Sequence, residues 1–296
     1  MVTQVSSRPR PPAALPEALA VEHFVGLDNR PRLIFAHGFG QTRLAWQRSA
    51  QVLAAHGFSG TTFDARGHGD SAWNAAGEMY QMEQFIDDLA GLAQAEPAPP
   101  ILIGASMGGL LGLFAQGHVR PVPFRALVLV DITPRWDTAG VERILGFMTA
   151  HPEGFDDLDH AAHAIAAYLP HRPERKTPAQ LEKLLNRGAD GRWRWHWDPR
   201  LIDSIGRRGE DQQAQLIDAA RRVDVPTLLI SGGRSDLVSQ AHVDEFLELV
   251  PHAHHVCLPK ATHMVAGDDN DAFTRTILDF LVTLPAGSAH RAGDPS

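Results

Sequence analysis

The chain has 296 residues, 44% of them hydrophobic, and a formal net charge of −8 from 27 basic and 35 acidic side chains. This length suits one large domain or a core with an insertion, and the apolar share suffices for a packed core. The acidic balance, without a long basic run, argues against a nucleic-acid partner. Cys257 is the only cysteine, which excludes an intrachain disulfide and fits a reducing, cytoplasmic setting. Met1 to Pro16 carries Pro9, Pro11, Pro12 and Pro16 and no apolar h-region, so residues 1–20 are expected to be a flexible arm rather than a signal peptide. Residues 285–296 are expected to be a flexible tail.

Val21 to Val25 reads as an early strand and Leu33-Ile-Phe-Ala36 as a clearer one, running into His37-Gly-Phe-Gly40. Thr42 can cap the helix that follows through Trp46 and Leu53. Gly60-Thr-Thr-Phe63 is the next strand and ends in Asp64-Ala-Arg-Gly-His-Gly-Asp-Ser71. Gln81 to Ala95 is an amphipathic helix, with Met82, Phe85, Ile86 and Leu89 on one face. Ile101 opens a strand that turns through Gly104-Ala-Ser106-Met-Gly108 into a buried helix containing Leu110 to Ala115. Ala126-Leu-Val-Leu-Val130 is a continuous apolar strand ending in Asp131-Ile-Thr-Pro134. From Arg135 to about Gln213 the segments read as helical, with no convincing buried strand. After them come a strand at Thr227–Ile230, a helix at Gln240–Val250, a strand at His254–Leu258 and a helix at Ala272–Leu284. Strands alternating with helices predict a mainly parallel central sheet with helices on both faces, whose ligands sit at the carboxyl ends of the strands. The expected organisation is a core at 21–134 and 214–284, interrupted by an inserted helical lid at 135–213.

Pro97 to Val119 contains no Asp, Glu, Lys or Arg, and a charge-free run of that length raises the question of a membrane span. Pro99 and Pro100 open it, several glycines interrupt it, and mean hydropathy is slightly negative. A parallel strand followed by a buried helix yields the same pattern, and no membrane association is expected. Within this run, Gly-x-Ser-x-Gly between strand and helix has the form of a nucleophile elbow. The turn forces Ser106 into a strained backbone conformation, and Gly104 and Gly108 let strand and helix approach.

Four strand ends thus carry chemistry: His37-Gly-Phe-Gly40, Ser106, Gly232-Gly-Arg-Ser-Asp236 and Ala261-Thr-His263-Met. From Leu33 to Leu284 the chain resembles an α/β-hydrolase with a helical lid, and the order nucleophile, acid, histidine fits that family. Asp64-Ala-Arg-Gly-His-Gly-Asp-Ser71 also resembles a loop common in these proteins. A serine hydroxyl needs a base to take its proton during attack, and His263 is placed to do so. A carboxylate must fix the histidine tautomer and offset the imidazolium charge. The resemblance assigns this to Asp236, with Asp131 as the alternative acid, since some related hydrolases take it from the strand after the nucleophile helix. It assigns the oxyanion donors to the backbone N–H groups of Phe39 and Met107. His37 and His68 are expected to hold loops by hydrogen bonds.

Two other patterns have a chemical reading. Asp156, Asp157, Asp159, His160 and His163 have the composition of a metal cluster, but a solvated acidic helix face is the expectation, so no metal is assigned. Arg192-Trp-Arg-Trp-His-Trp197 mixes basic and aromatic residues as single-strand nucleic-acid binders do. Alternation puts Trp193, Trp195 and Trp197 on one side of an extended segment, where packing of lid on core is favoured over an acyl-pocket role. In the lid, Trp136, Phe147, Met148 and Tyr168 are available for an apolar substrate pocket. The resemblance therefore implies a cofactor-free serine hydrolase cleaving a carboxylic ester of a small or medium apolar substrate through an acyl-enzyme. Carbon–carbon bond hydrolases, lactonases, amidases and cofactor-free perhydrolases share the triad. A non-catalytic binding protein on the same scaffold is the alternative of another class, and the sequence leaves oligomeric state open.

Overall fold

The computed structural model describes residues 19–27, 30–169, 175–205 and 209–285. Most of the predicted arm and tail lies outside them. Short apolar runs form the strands β2 (Leu33–Ala36), β4 (Ile101–Ala105) and β5 (Ala126–Val130), while β1 (Val21–Phe24) and β3 (Gly60–Phe63) carry polar residues. Between them lie α1 (Gln47–Ala55), α2 (Met82–Gln94) and α3 (Met107–His118). The insertion holds α4 (Thr138–Thr149), α5 (Leu158–Tyr168), the single turn α6 (Pro178–Leu181), a hairpin of β6 (Leu185–Arg187) and β7 (Trp193–Trp195), and α7 (Arg200–Ile205). The chain then runs through α8 (Gly209–Arg221), β8 (Thr227–Gly232), α9 (Gln240–Leu249), β9 (His254–Leu258), α10 (Val265–Asp268) and α11 (Asn270–Thr283).

Seven strands make one sheet in the order β1-β3-β2-β4-β5-β8-β9, all parallel except β1. The period of two along each strand sorts side chains into two cores. Ile34, Leu102, Leu127, Leu129 and Leu229 face one core, with residues of α2, α3, α8 and α9. Leu33, Phe35, Ile101, Ile103, Val128 and Ile230 face the other, with Trp46 and the α11 residues Phe273 and Ile277. Fully covered faces explain why these strands read as continuous apolar runs.

Three local readings change in the structure. Thr42 occupies the cap position of the 3₁₀ turn at Arg43–Trp46 that leads into α1, but its side chain caps nothing. The buried Asp64 carboxylate, just after β3, instead accepts the Arg43 N–H at 2.6 Å. The insertion is not wholly helical, because it contains the β6–β7 hairpin. The lid-to-core boundary expected between 213 and 214 falls inside α8. That helix packs on α3 so closely that a Cβ on Gly117 would sit 2.5 Å from Ala219 Cα. The insertion has a small core of its own, in which Phe155, Ala161, Ile165, Leu181 and Leu185 are buried.

Candidate active site

Ser106 is the residue between β4 and α3, with φ +47 and ψ −117. A non-glycine residue there carries strain of about 1–3 kcal/mol, held by its surroundings. The surroundings are the two glycines of the motif. A Cβ on Gly108 would lie 2.3 Å from the Ala36 carbonyl oxygen, and one on Gly104 would lie 2.7 Å from the Gly108 backbone. The Ser106 N–H donates to Val130 O at 3.1 Å, which locks the turn to β5. Met107 starts α3, so its N–H is among the first-turn donors without an intrahelical partner, at the positive end of the helix.

Sheet register decides what stands beside the serine. Ala105 pairs with Val130 across β4–β5, so Ser106 and Asp131 leave adjacent strands at the same level. Asp131 is fully buried and, at φ +49, adopts the left-handed region. Its Oδ1 accepts the Gly232 N–H at 2.7 Å, and its Oδ2 accepts the Ser235 hydroxyl and His263 Nδ1–H, the latter at 2.8 Å. The structure therefore corrects the first choice of acid. Asp236 follows β8, two strands from the β4 that ends at Ser106. Its carboxylate pairs with Arg143 of α4, and its backbone packs where a Cβ on Gly140 would lie 2.3 Å from its carbonyl oxygen. The carboxylate that meets His263 in the structure is therefore Asp131, and Asp236 meets Arg143 of α4 instead.

The loop after β2 lies against the nucleophile. A Cβ on Gly38 would be 3.3 Å from Ser106 Cβ. His37 is buried between two backbone groups: Nε2 accepts the Ala65 N–H at 2.9 Å, which leaves Nδ1–H to donate to Gly38 O at 2.8 Å. The Gly38 carbonyl and the Phe39 N–H share one planar trans peptide unit, so pinning the carbonyl aims the N–H in the opposite direction. His68 does the same one residue on, accepting the Gly40 N–H at 3.2 Å and donating from Nδ1 to Arg66 O at 3.1 Å. Burial lowers the pKa of both imidazoles, His68 well below the ordinary value, so both are neutral near pH 7. Both histidines therefore hold loops, as expected from the sequence.

His196 is a third buried histidine of this cluster and was not singled out by sequence reasoning. It accepts the Gly69 N–H at Nδ1, while its Nε2 is buried with no hydrogen-bond partner. Burial, reinforced by His37, lowers its pKa to about 4. The adjoining Asp198 accepts the Tyr80 hydroxyl at 2.8 Å and pairs with Arg200, which ties the insertion to the core. His37, His68 and His196 are 31 and 128 residues apart in chain order (68 − 37 and 196 − 68) and give no local sequence signal, because the return path of the insertion brings His196 there.

Lid residues occupy two positions. Met148 is buried over the loop after β2, its methyl 2.1 Å from where a Cβ on Gly40 would stand. Trp136 and Phe147 are half-buried and pack against the same core cluster that Phe39 and Met107 pack against. Tyr168 lies farther out, stacked on Phe147 at 4.1 Å between ring centroids and 7° between planes. Trp195 packs edge-on against Phe147 and Phe155, and Trp197 lies 5.2 Å from Phe39, so the tryptophan stripe joins lid to core. In the acidic segment, Asp157 caps α5 by accepting the His160 N–H, and Asp156 pairs with Arg192. Among the described residues no group of three or more His, Cys, Asp or Glu is arranged to hold a metal ion, and no helix is long and apolar enough to cross a membrane.

A family model described as the alpha/beta hydrolase family matches residues 33–276. A 3-hydroxybutyrate-oligomer hydrolase of Cupriavidus necator is 28% identical over 253 residues, covering 81% of this chain and 85% of that protein. An esterase of Mycobacterium tuberculosis is 27% identical over 265 residues, covering 86% and 83%. The crystal structure of an E-2-(acetamidomethylene)succinate hydrolase superimposes with a TM-score of 0.76 at 24% identity, covering 89% of this chain and 95% of the other, a likeness of fold.

Proposed function

The chain belongs to the alpha/beta hydrolase family, and from that premise we propose that it hydrolyses a carboxylic ester through a Ser106 acyl-enzyme, with His263 as base and Asp131 as the orienting acid. The observation that carries this reading is the 2.8 Å contact from His263 Nδ1 to a buried Asp131 carboxylate, set one strand from a serine in a strained turn. With Nδ1–H committed to Asp131, the neutral ring presents Nε2 as the acceptor, the tautomer that general-base attack requires.

In the proposed cycle, Ser106 Oγ attacks the ester carbonyl while its proton passes to His263 Nε2. The imidazolium that forms is offset by Asp131. The oxyanion is held by the N–H groups of Phe39 and Met107, the first aimed by the His37-pinned peptide and the second at the start of α3. His263 then protonates the departing alcohol, and water, activated by the same ring, releases the acid. Trp136, Phe147 and Met148 contribute apolar surface on the Phe39 side. Esterases among the relatives favour an ester over the other reactions that share these groups. A fluorophosphonate probe should label the wild type once, at Ser106, and leave Ser106→Ala unlabelled. Labelling elsewhere, or turnover of 4-nitrophenyl butyrate by Ser106→Ala within a few-fold of wild type, would rule out serine catalysis.

A further inference from the structure

The turn that follows β8 touches both Asp131 and the segment that carries His263. Its Gly232 N–H donates to Asp131 Oδ1 at 2.7 Å, and a Cβ on Gly232 would lie 2.4 Å from the carbonyl oxygen of Thr262, the residue before His263. The Gly233 N–H donates to Leu258 O and the Arg234 N–H to Ala261 O, both at 2.9 Å. On the other side the N–H of Asp137, the residue that caps α4, donates to Leu237 O at 3.0 Å. The turn is therefore held from three directions, and Ser235 stands in the middle of it.

The Ser235 hydroxyl has one direction left in which to donate. Its oxygen accepts the Leu237 N–H at 3.1 Å and the Val238 N–H at 3.2 Å, which occupies both lone pairs. The single O–H hydrogen goes to Asp131 Oδ2, the same oxygen that accepts His263 Nδ1–H. A carboxylate turns freely about its terminal torsion unless donors fix both oxygens. Here the Gly232 N–H holds Oδ1 and Ser235 holds Oδ2, so two groups other than the imidazole set the plane of a fully buried carboxylate. We infer that Ser235 is a positioning residue of the active site: its hydroxyl fixes the Asp131 carboxylate in the plane where Oδ2 meets His263 Nδ1–H, and through it the orientation of the ring that serves Ser106. This rests on the serine-hydrolase reading above. The hydroxyl takes no part in bond making and passes no proton to the substrate.

A hydroxyl that only braced its own turn would affect folding. One that acts through Asp131 affects kcat, and does so only while the carboxylate is there. The test measures kcat and KM on 4-nitrophenyl butyrate, with thermal melting, for Ser235→Ala, Ser235→Thr, Asp131→Asn and the double variant Ser235→Ala/Asp131→Asn. Ser235→Ala should lose about ten- to a hundredfold in kcat, the scale of one hydrogen bond to a charged group, with KM within about threefold of wild type. Ser235→Thr keeps the hydroxyl and should restore most of kcat. Adding Ser235→Ala to Asp131→Asn should cost less than about threefold more, because the carboxylate through which the serine acts is already gone. Full kcat in Ser235→Ala, losses that multiply in the double variant, or a threonine variant that melts like wild type yet is as slow as the alanine variant overturns the role. The parent reading fails by a separate result, turnover in Ser106→Ala within a few-fold of wild type. Turnover that requires Ser106 and Asp131 but is undiminished in Ser235→Ala refutes the role of Ser235 alone.

Discussion

Asp131→Asn is the perturbation that most directly tests the site. Three donors converge on the Asp131 carboxylate: the Gly232 N–H, the Ser235 hydroxyl and the His263 ring N–H. An amide offers one oxygen and one NH₂. The Gly232 N–H cannot reverse its role, so the amide oxygen goes to it and the NH₂ turns toward Ser235 and His263. The hydroxyl can rotate, and the ring can answer only by moving its proton to Nε2. That tautomer cannot accept the Ser106 proton. In a serine protease triad the same substitution lowers kcat by about 10⁴, equivalent to about 5.4 kcal/mol of transition-state stabilisation at about 1.36 kcal/mol per tenfold. A loss of two to four orders of magnitude is therefore expected here. Asparagine also tolerates the left-handed backbone at φ +49, so the fold should persist, whereas alanine would add backbone strain of about 1–2 kcal/mol. Asp236→Asn makes the contrast. It breaks the pair with Arg143, whose side chains are 26% and 59% exposed, and an exposed pair of this kind contributes about 0–1 kcal/mol. Its kcat should stay within about fivefold of wild type. The assay is kcat on 4-nitrophenyl butyrate for both single mutants, with thermal melting to confirm folding. A severe loss in Asp236→Asn beside a nearly silent Asp131→Asn would refute the assignment.

Gly108→Ala should abolish activity and lower stability, because its Cβ would meet the Ala36 carbonyl oxygen at 2.3 Å and neither backbone can give way; wild-type melting and turnover would contradict the packing argument. Stability should fall as pH drops from 7.5 toward 5. His196 titrates near 4 in the fold, held down by burial, against about 6.5 in the unfolded chain, which therefore binds the extra proton in that window. The difference of roughly 2.5 units amounts to about 3 kcal/mol by pH 4, with His37 and His68 shifted in the same direction. The urea midpoint at several pH values should show this slope and should flatten in His196→Asn, while a midpoint that rises on acidification would disprove it. Phe147→Ala removes the ring that joins Tyr168 and Trp195 to the core cluster and should shift preference among acyl chain lengths; an unchanged profile across 4-nitrophenyl esters would detach the lid from substrate choice.

The parts of this protein legible in the sequence are those written within a few adjacent residues. The glycines flanking Ser106 act at distances of one or two residues, so the strained turn and the close approach of β4 to α3 follow from local sterics alone. The inner strands β2, β4 and β5 are equally local, because a sheet covered on both faces demands unbroken apolar runs there. The place of His263 after the last strand marked it as a candidate base; which carboxylate it meets was not legible. Asp131 and Asp236 both end a strand, and the choice between them depends on the register that puts Asp131 level with Ser106 and on the turn that sends Asp236 to Arg143. Asp131 and His263 are 132 residues apart, and no local pattern encodes such a meeting. The same holds for His196 above the loop after β3. It is an ordinary side chain in the sequence, given its surroundings by the path of the insertion across the carboxyl edge of the sheet.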